Sequence, residues 1–485
     1  MLKRCLLAVF FIMICLFSAC AEDSGELVYE AKDARLLGSA YIQKIAGHTF
    51  VTGLEKEGDG FVLTVDVPAS GFYDLIFSQK SPNGAYKENT VQVDGINAGS
   101  VSAEKNRWTE ATLEFVYLTA GSHEIGLTKS WGWVYTESLT IRPSQALSED
   151  LYDVEPTLCN PNASDNAKRL MTYLCDCYGK VTLSGQYCDE GMYGSENATI
   201  WRTTGGKYPA ILGLDLIEYS PSRVAHGSSS TAIEKAIEYW QKGGIVTFCW
   251  HWNAPEKYIT GQWYSAFYTH SCNLDLAAIM NGQDEEGYAL LMSDIDVIAK
   301  QLTRLKDAGV PVLWRPLHEA SGGWFWWGNA GADAYLKLYR LLYDKLTYEY
   351  GLNNLIWVWN GQDADWYPGD EYVDIIGWDI YPGEHVYSSQ AATFLKATRV
   401  TSARKLITLS ENGCLPDPEE MARDGIIWSY FGTWSGEFVV KNKNFNLYSE
   451  QYTEAEMLNK VYWDEKIITR DELPDLTTYP LRNAD

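Results

Sequence analysis

Residues 312–328 read VLWRPLHEASGGWFWWG, and their reading decides both fold and chemistry. An apolar run over 310–314 has the composition of a buried strand and ends in Arg315, Pro316, His318 and Glu319. Gly322 and Gly323 follow, then Trp324, Phe325, Trp326 and Trp327. Charged residues at a strand's end are poor core material, because burying unpaired charge is costly. Four consecutive aromatics cannot all face one core. A carboxylic acid with an arginine and a histidine beside it, next to an aromatic wall, suits sugar chemistry. Ring faces pack on pyranoses, and a carboxylic acid protonates a glycosidic oxygen.

The same pattern recurs on either side of this stretch. Strand-like runs at 180–188, 208–219, 244–252, 310–319, 354–360, 373–381, 405–413 and 426–434 end in polar or aromatic residues. Helical periodicity lies between several of them, at 231–242, 294–308, 332–350 and 389–399. Eight strands with crossovers in about 300 residues predict an α/β fold, a (β/α)8 TIM barrel over 161–485, with its chemistry at the C-terminal strand ends. His251, Glu319, Asn360, Tyr381, Glu411 and Trp434 stand at those ends. The long connection over 252–294 is expected to build cleft walls.

Ahead of the barrel, residues 26–143 alternate with period two in short runs. Turn signals such as Ser81-Pro82-Asn83-Gly84 and Asp94-Gly95 separate these runs. This predicts a β-sandwich (jelly-roll) of roughly a hundred residues. At its end Trp131, Trp133 and Tyr135 alternate, so on a strand they would share one face, which is either core or a binding platform. The polar stretch 144–160 reads as a linker.

Aromatics make up 14% of the chain, with 19 Trp and 32 Tyr, which favours exposed ring platforms over cores alone. A formal charge of −25 argues against nucleic acid and against polyanionic sugars, leaving a neutral polysaccharide. Lys3 and Arg4 precede an apolar stretch over 6–17 that is too short for a good membrane span. Phe17-Ser18-Ala19-Cys20 then resembles a bacterial lipobox, so residues 1–20 are expected to be a lipoprotein signal with a lipid on Cys20, anchoring the chain at the outer-membrane surface; simple secretion is the alternative. Seven cysteines follow Cys20. Cys175 and Cys177 with Cys188 offer one bridge, whereas Cys249 and Cys414 read as small core residues. Zinc-type ligand spacing is absent.

Two carboxylates raise each other's significance. Glu319 ends the fourth strand and Glu411, in LITLSENG, the seventh. Facing each other across a barrel mouth, two glutamates stand about 5–5.5 Å apart, the separation of a retaining glycosidase. One must be ionised to attack the anomeric carbon. The other must be protonated to assist departure, its pKa raised by its neighbour's charge. Arg315 would support the ionised partner.

The barrel resembles glycoside hydrolase family 26 through RPLHE at 315–319, GGWFWWG at 322–328 and SEN at 410–412. That resemblance implies an endo-β-1,4-mannanase without a catalytic cofactor, with Glu319 as acid/base and Glu411 as nucleophile. It also implies that His251, His318, Trp324 with Phe325 beside it, Tyr381 and Trp434 contact or position sugar. His251 is otherwise a satisfied core histidine. Trp326 and Trp327 are either packing or contacts. Trp366 forms either a distant subsite or a cover, and Asp379 reads as structural. The sandwich resembles carbohydrate-binding modules of families 35 and 6 through Tyr29-Glu30-Ala31, Val93-Asp94-Gly95, Gly121-Ser122-His123 and Trp131-Gly132-Trp133. That likeness implies sugar binding at Trp131 and Trp133. It also implies a structural calcium held by Glu30 and Glu137, although Lys32 stands where a further ligand is expected. The expected partners are neutral β-mannans and manno-oligosaccharides, acted on by a monomer. The rivals are a β-1,3-xylanase, a mixed-linkage β-glucanase and a non-catalytic glycan-binding lipoprotein.

Overall fold

The computed structural model describes residues 25–188, 195–442 and 447–482; the export segment with Cys20 lies outside them. Eight parallel strands close in sequence order into a barrel. They are β1 (Gly185–Tyr187), β2 (Ile211–Asp215), β3 (Ile245–Trp250), β4 (Val312–Pro316), β5 (Leu355–Trp359), β6 (Ile375–Ile380), β7 (Leu406–Asn412) and β8 (Phe431–Thr433). Nearly every strand residue is buried, because lumen and helix layer cover both faces. That is why β5 reads LIWVW and β3 IVTFCW, without alternation.

The helices around the barrel are α1 (Asp165–Cys177), α2 (Ser195–Thr204), α3 (Ala232–Gln241), α4 (Glu285–Asp307), α5 (Ala332–Asp344), α6 (Ala391–Thr398), α7 (Pro418–Asp424) and α8 (Ala455–Tyr462). The α4 helix begins earlier than its apolar periodicity. Asp284 caps it by accepting from Gly287 N at 2.8 Å, and Glu285 and Glu286 occupy the first turn, where the helix dipole favours acids. The α5 helix passes at Lys345–Glu349 into a π-helical turn instead of running to Tyr350. Between β5 and β6 the chain makes only the short turns Ala364–Trp366 and Asp370–Tyr372, and α1 packs against β5.

The N-terminal domain is two antiparallel sheets. One orders Tyr41–Ile45, His48–Thr52, Tyr135–Pro143, Gly71–Lys80 and Thr109–Leu118, with Leu27–Glu30 added on Tyr135–Pro143. The other orders Arg35–Leu37, Gly60–Val67, Gly121–Lys129, Lys87–Val93 and Ile96–Ala103. Phe61, Leu75, Phe77, Val91, Leu127 and Leu139 fill the space between the sheets. Residues 131–134 are not on a strand; they form an irregular segment leading into Tyr135, with Trp131 N donating to Glu88 O at 2.8 Å. The 144–160 stretch lies along the barrel, with Tyr152 Oη donating to Gly425 O at 2.6 Å and Asp374 accepting from Cys159 N at 2.6 Å.

The tryptophans divide: Trp250, Trp252, Trp314, Trp326, Trp327, Trp357, Trp359 and Trp428 are fully buried, whereas Trp131, Trp133, Trp201, Trp324 and Trp463 are exposed. The disulfide expectation is corrected. Cys159, Cys175, Cys177, Cys249, Cys272 and Cys414 are free, so neither Cys175 nor Cys177 enters the bridge expected with Cys188. Cys175 and Cys177 share α1, where residues two apart do not face each other. Among the described residues, no helix is long and apolar enough to cross a membrane.

Candidate active site

The C-terminal strand ends converge on Arg315. Its side chain is wholly buried at the end of β4. Nε donates to Tyr187 Oη at 3.1 Å, and Nη1 donates to Asn360 Oδ1 and to Asp379 Oδ2, each at 2.7 Å. Nη2 donates to Glu411 Oε2. One guanidinium thus ties β4 to β1, β6, β7 and the residue after β5. Burial opposes its charge, but Asp379 and then Glu411 outweigh burial and hold its pKa well above the usual arginine value.

A bulge aims Glu411. Trp378 pairs with Leu409, but Asp379 pairs with Glu411, so Ser410 is the extra residue. Without it Glu411 would fall out of register with Asp379 and point to the other face. Ser410 Oγ donates to Asp379 Oδ1 at 2.8 Å, fixing the carboxylate that shares Arg315 with Glu411. Tyr381, immediately after β6, donates its hydroxyl to Glu411 Oε1. Burial and then the Glu411 carboxylate push the Tyr381 phenol far up, so that hydroxyl keeps its proton.

Glu319 sits opposite. Carboxylate oxygens of Glu319, Asp379 and Glu411 all lie within 4.8 Å of one another. Glu319 and Leu317 both adopt left-handed backbone, with φ of 54° and 53°, a conformation that costs L-residues energy and clusters at functional sites. Glu319 N donates to Asn360 O at 2.7 Å, and Trp324 Nε1 donates to Glu319 Oε2 at 2.9 Å. Burial, followed by the charge on Glu411, raises the Glu319 pKa to about 7. Glu411 has two donors, one cationic. Glu319 has one, neutral. That asymmetry separates an ionised from a protonated carboxyl.

A second network runs beside the pair. Asp215, the last residue of β2, accepts from His251 Nδ1 at 2.6 Å and from His251 N at 3.0 Å. His251 Nε2 meets His318 Nε2 at 3.1 Å. Burial disfavours charge on His251, but Asp215 outweighs it and its pKa rises. Burial, with the charges of Arg315 and His251, holds His318 well below the usual histidine value.

The aromatics divide. Trp324 is 47% exposed, with its ring over Gly322, where an added Cβ would lie 2.0 Å from the indole. Trp434 packs at 4.9 Å from Tyr187 and 5.6 Å from His251. Phe325, by contrast, is 4% exposed and braces His251, His318 and Trp327. Trp326 and Trp327 are packing: Trp326 Nε1 donates to Trp252 O and Trp327 Nε1 to His318 O. Trp366 lies against Tyr335, away from this cluster. Tyr268 was missed by the sequence reading. It stacks on Phe325 at 5.4 Å, and its phenol is raised by burial and then by Glu319 and Glu411. Thr269 beside it donates to Trp324 O, so the loop after β3 clamps the loop after β4. Asp215 was also missed, although ending a β2 that reads ILGLD is the same signal that marked Glu319.

In the sandwich, Trp131 is 73% exposed and Trp133 is 37% exposed, with Trp133 Nε1 donating to Thr52 Oγ1 at 2.7 Å. Of the two acids expected to hold calcium, Glu137 is paired with His48 Nδ1 at 2.9 Å.

A closed (β/α)8 barrel with two carboxyls of unlike environment at its mouth defines a glycoside hydrolase. Residues 159–472 match the family model for glycosyl hydrolase family 26, and residues 27–144 match that for carbohydrate binding module (family 35). The chain belongs to glycosyl hydrolase family 26. It is 38% identical to a mannan endo-1,4-beta-mannosidase of Thermothelomyces thermophilus, over 94% of this chain and 92% of that protein. It is 34% identical to mannan endo-1,4-beta-mannosidase A of a Piromyces species, over 93% and 73%. The crystal structure of the Podospora anserina GH26-CBM35 beta-(1,4)-mannanase aligns with a TM-score of 0.64 at 35% identity, covering 94% of this chain and all of that one.

Proposed function

We propose that the protein is an endo-acting mannanase that cleaves β-1,4-mannosidic bonds with retention. One observation carries the mechanism: carboxylate oxygens of Glu319 and Glu411 lie within 4.8 Å, in environments that favour protonation of the first and ionisation of the second. Retaining enzymes hold their carboxyls about 5–5.5 Å apart, whereas inverting ones leave about 6.5–9.5 Å for a water.

Glu411 attacks the anomeric carbon while Glu319 gives its proton to the departing glycosidic oxygen. The Glu411 carboxylate becomes a glycosyl ester and loses its charge. One cause of the raised Glu319 pKa thereby disappears, and Glu319, now ionised, takes a proton from water as that water displaces Glu411. Arg315 and Tyr381 stabilise the Glu411 carboxylate before attack and after release. Trp324 orients Glu319, and Trp434 offers a ring face beside His251. No cofactor enters any step.

The front module supports polymer binding through Trp131 and Trp133. The lipobox-like residues 17–20 support lipidation of Cys20 and a place at the cell surface, testable by radiolabelled palmitate incorporation in wild type but not in Cys20→Ala.

Product analysis on linear mannan, galactomannan, β-1,3-xylan and lichenan tests the reading. Manno-oligosaccharides released first as the β-anomer are expected. Release from xylan or lichenan but from neither mannan would reject it.

A further inference from the structure

The sandwich touches the barrel next to the reacting residues. Asn97, in strand Ile96–Ala103, donates from Nδ2 to Pro382 O at 2.7 Å. Its own Oδ1 accepts from Gly99 N at 2.9 Å, so the donor is aimed from within its strand. Pro382 directly follows Tyr381, whose hydroxyl holds Glu411.

The contact is one of several between the two domains. Strand Thr109–Leu118 packs on α6, the helix that follows β6. Phe115 is buried in the barrel's own core cluster, stacked on Phe72 at 4.2 Å, and Ala392 of α6 packs in turn on the sandwich core. Glu114 pairs with Arg399 at 2.6 Å, and the Arg423 guanidinium lies 4.5 Å over Tyr117. A tethered module would need none of this.

The loop between β6 and α6 needs support. Gly383, His385 and Gln390 all have positive φ, and two of these are not glycine. The barrel holds the distal half: His385 N donates to Tyr452 O at 2.9 Å, and Trp428 Nε1 to Ser389 O at 2.9 Å. The half nearest the site carries Tyr381, which is 44% exposed, lies 5.3 Å from the Phe438 ring and follows Ile380, whose carbonyl accepts from Gly413 N at 3.2 Å. At the next residue, Pro382, the sandwich supplies a hydrogen bond, through Asn97.

We infer that the sandwich is a working part of the active site, with Asn97 a positioning residue that fixes the backbone at Pro382 and so holds the Tyr381 hydroxyl on Glu411. The inference rests on the reading of Glu411 and Tyr381 as catalytic machinery.

A double-mutant cycle in the full chain tests it, assayed on soluble mannopentaose so that polymer capture does not enter. Tyr381→Phe is expected to lower kcat about tenfold or more, and Asn97→Ala about three- to tenfold with KM within about twofold. Asn97→Asp keeps the bond from Gly99 but cannot donate to Pro382, and should behave as the alanine. In the Tyr381→Phe background, Asn97→Ala should change kcat less than about 1.5-fold, because its effect passes through the missing hydroxyl. Equal fractional losses in both backgrounds, or a neutral Asn97→Ala, would overturn the inference while leaving the site intact. A neutral Tyr381→Phe would overturn the reading of the site itself.

Discussion

The Nε2 atoms of His251 and His318 lie 3.1 Å apart, so one of them carries a proton and the other does not. When His251 is charged it donates, and His318 must hold its own proton on Nδ1, a buried atom with no partner among the described residues. When His251 is neutral with its proton toward Asp215, His318 donates instead and its Nδ1 becomes an acceptor. The charge on His251 therefore decides which kind of hydroxyl contact His318 can offer.

Asp215→Asn removes the carboxylate that lifts the His251 pKa. A raised histidine contributes stability that is fully present below its unfolded value, near 6.5, and is lost as pH rises through the folded value. The variant should be destabilised by about 1–2 kcal/mol at pH 5.5 and by less at pH 9. Urea titrations at the two pH values check this, and equal losses at both would refute it. Turnover should fall about 10–100-fold as the imidazole pair loses its orientation.

Glu319, with its pKa raised to about 7, should set the alkaline limb of kcat/KM. Between the ordinary value of 4.5 and about 7 the folded state binds this proton more tightly than the unfolded chain, so stability falls as pH rises across that window. Glu319→Gln should therefore be more stable than the parent at pH 8, on the order of 1–3 kcal/mol, and no more stable at pH 4. Its polymer turnover should drop about 10²–10⁴-fold, with a smaller loss on dinitrophenyl mannosides, whose leaving group needs no proton. A loss as large on those substrates as on polymer would remove the acid role.

The sequence disclosed the barrel because strands buried on both faces read as uninterrupted apolar runs that end abruptly in chemistry. It disclosed Glu319, Glu411 and Arg315 for the same reason. It did not disclose the Ser410 bulge, because a bulge is a relation between two strands and leaves no mark on one. Asp215 carried the right signal in a weaker form, a single acid after four apolar residues. The aromatic excess could not be divided from sequence, since barrel lumen and helix layer together bury eight whole indoles while five others are exposed. Nothing local in the residues around Asn97 points to Pro382, 285 positions away.

Arg315 is expected to be irreplaceable even by lysine. It spreads four hydrogen bonds over Tyr187, Asn360, Asp379 and Glu411, a fork that a single ammonium cannot reproduce. Arg315→Met should lower stability by about 3–5 kcal/mol, because it leaves two buried carboxylates with no counter-charge. Arg315→Lys should fall between the two in urea midpoint and still lose most turnover. A lysine variant equal to the parent in both would show that charge alone suffices.

Gly377 on β6 tests the bulge from behind. A Cβ there would lie 2.5 Å from Ser410 Oγ and 2.9 Å from Ser410 Cβ, closer than real contacts allow. Gly377 is absent from the positive-φ residues, so Gly377→Ala acts by crowding and not by backbone strain. It must displace Ser410, and Glu411 is the next residue. A shift of about 1 Å in a reacting group costs on the order of 100-fold, so kcat should fall 10- to 100-fold with KM little changed. Adding Ser410→Gly to Gly377→Ala removes both crowded atoms and should restore part of that loss, although Ser410→Gly alone lowers activity by freeing Asp379. Were the double variant no better than Gly377→Ala, displacement of Ser410 would not be how Gly377 matters, and the aim of Glu411 would have to come from Arg315 and Tyr381 alone.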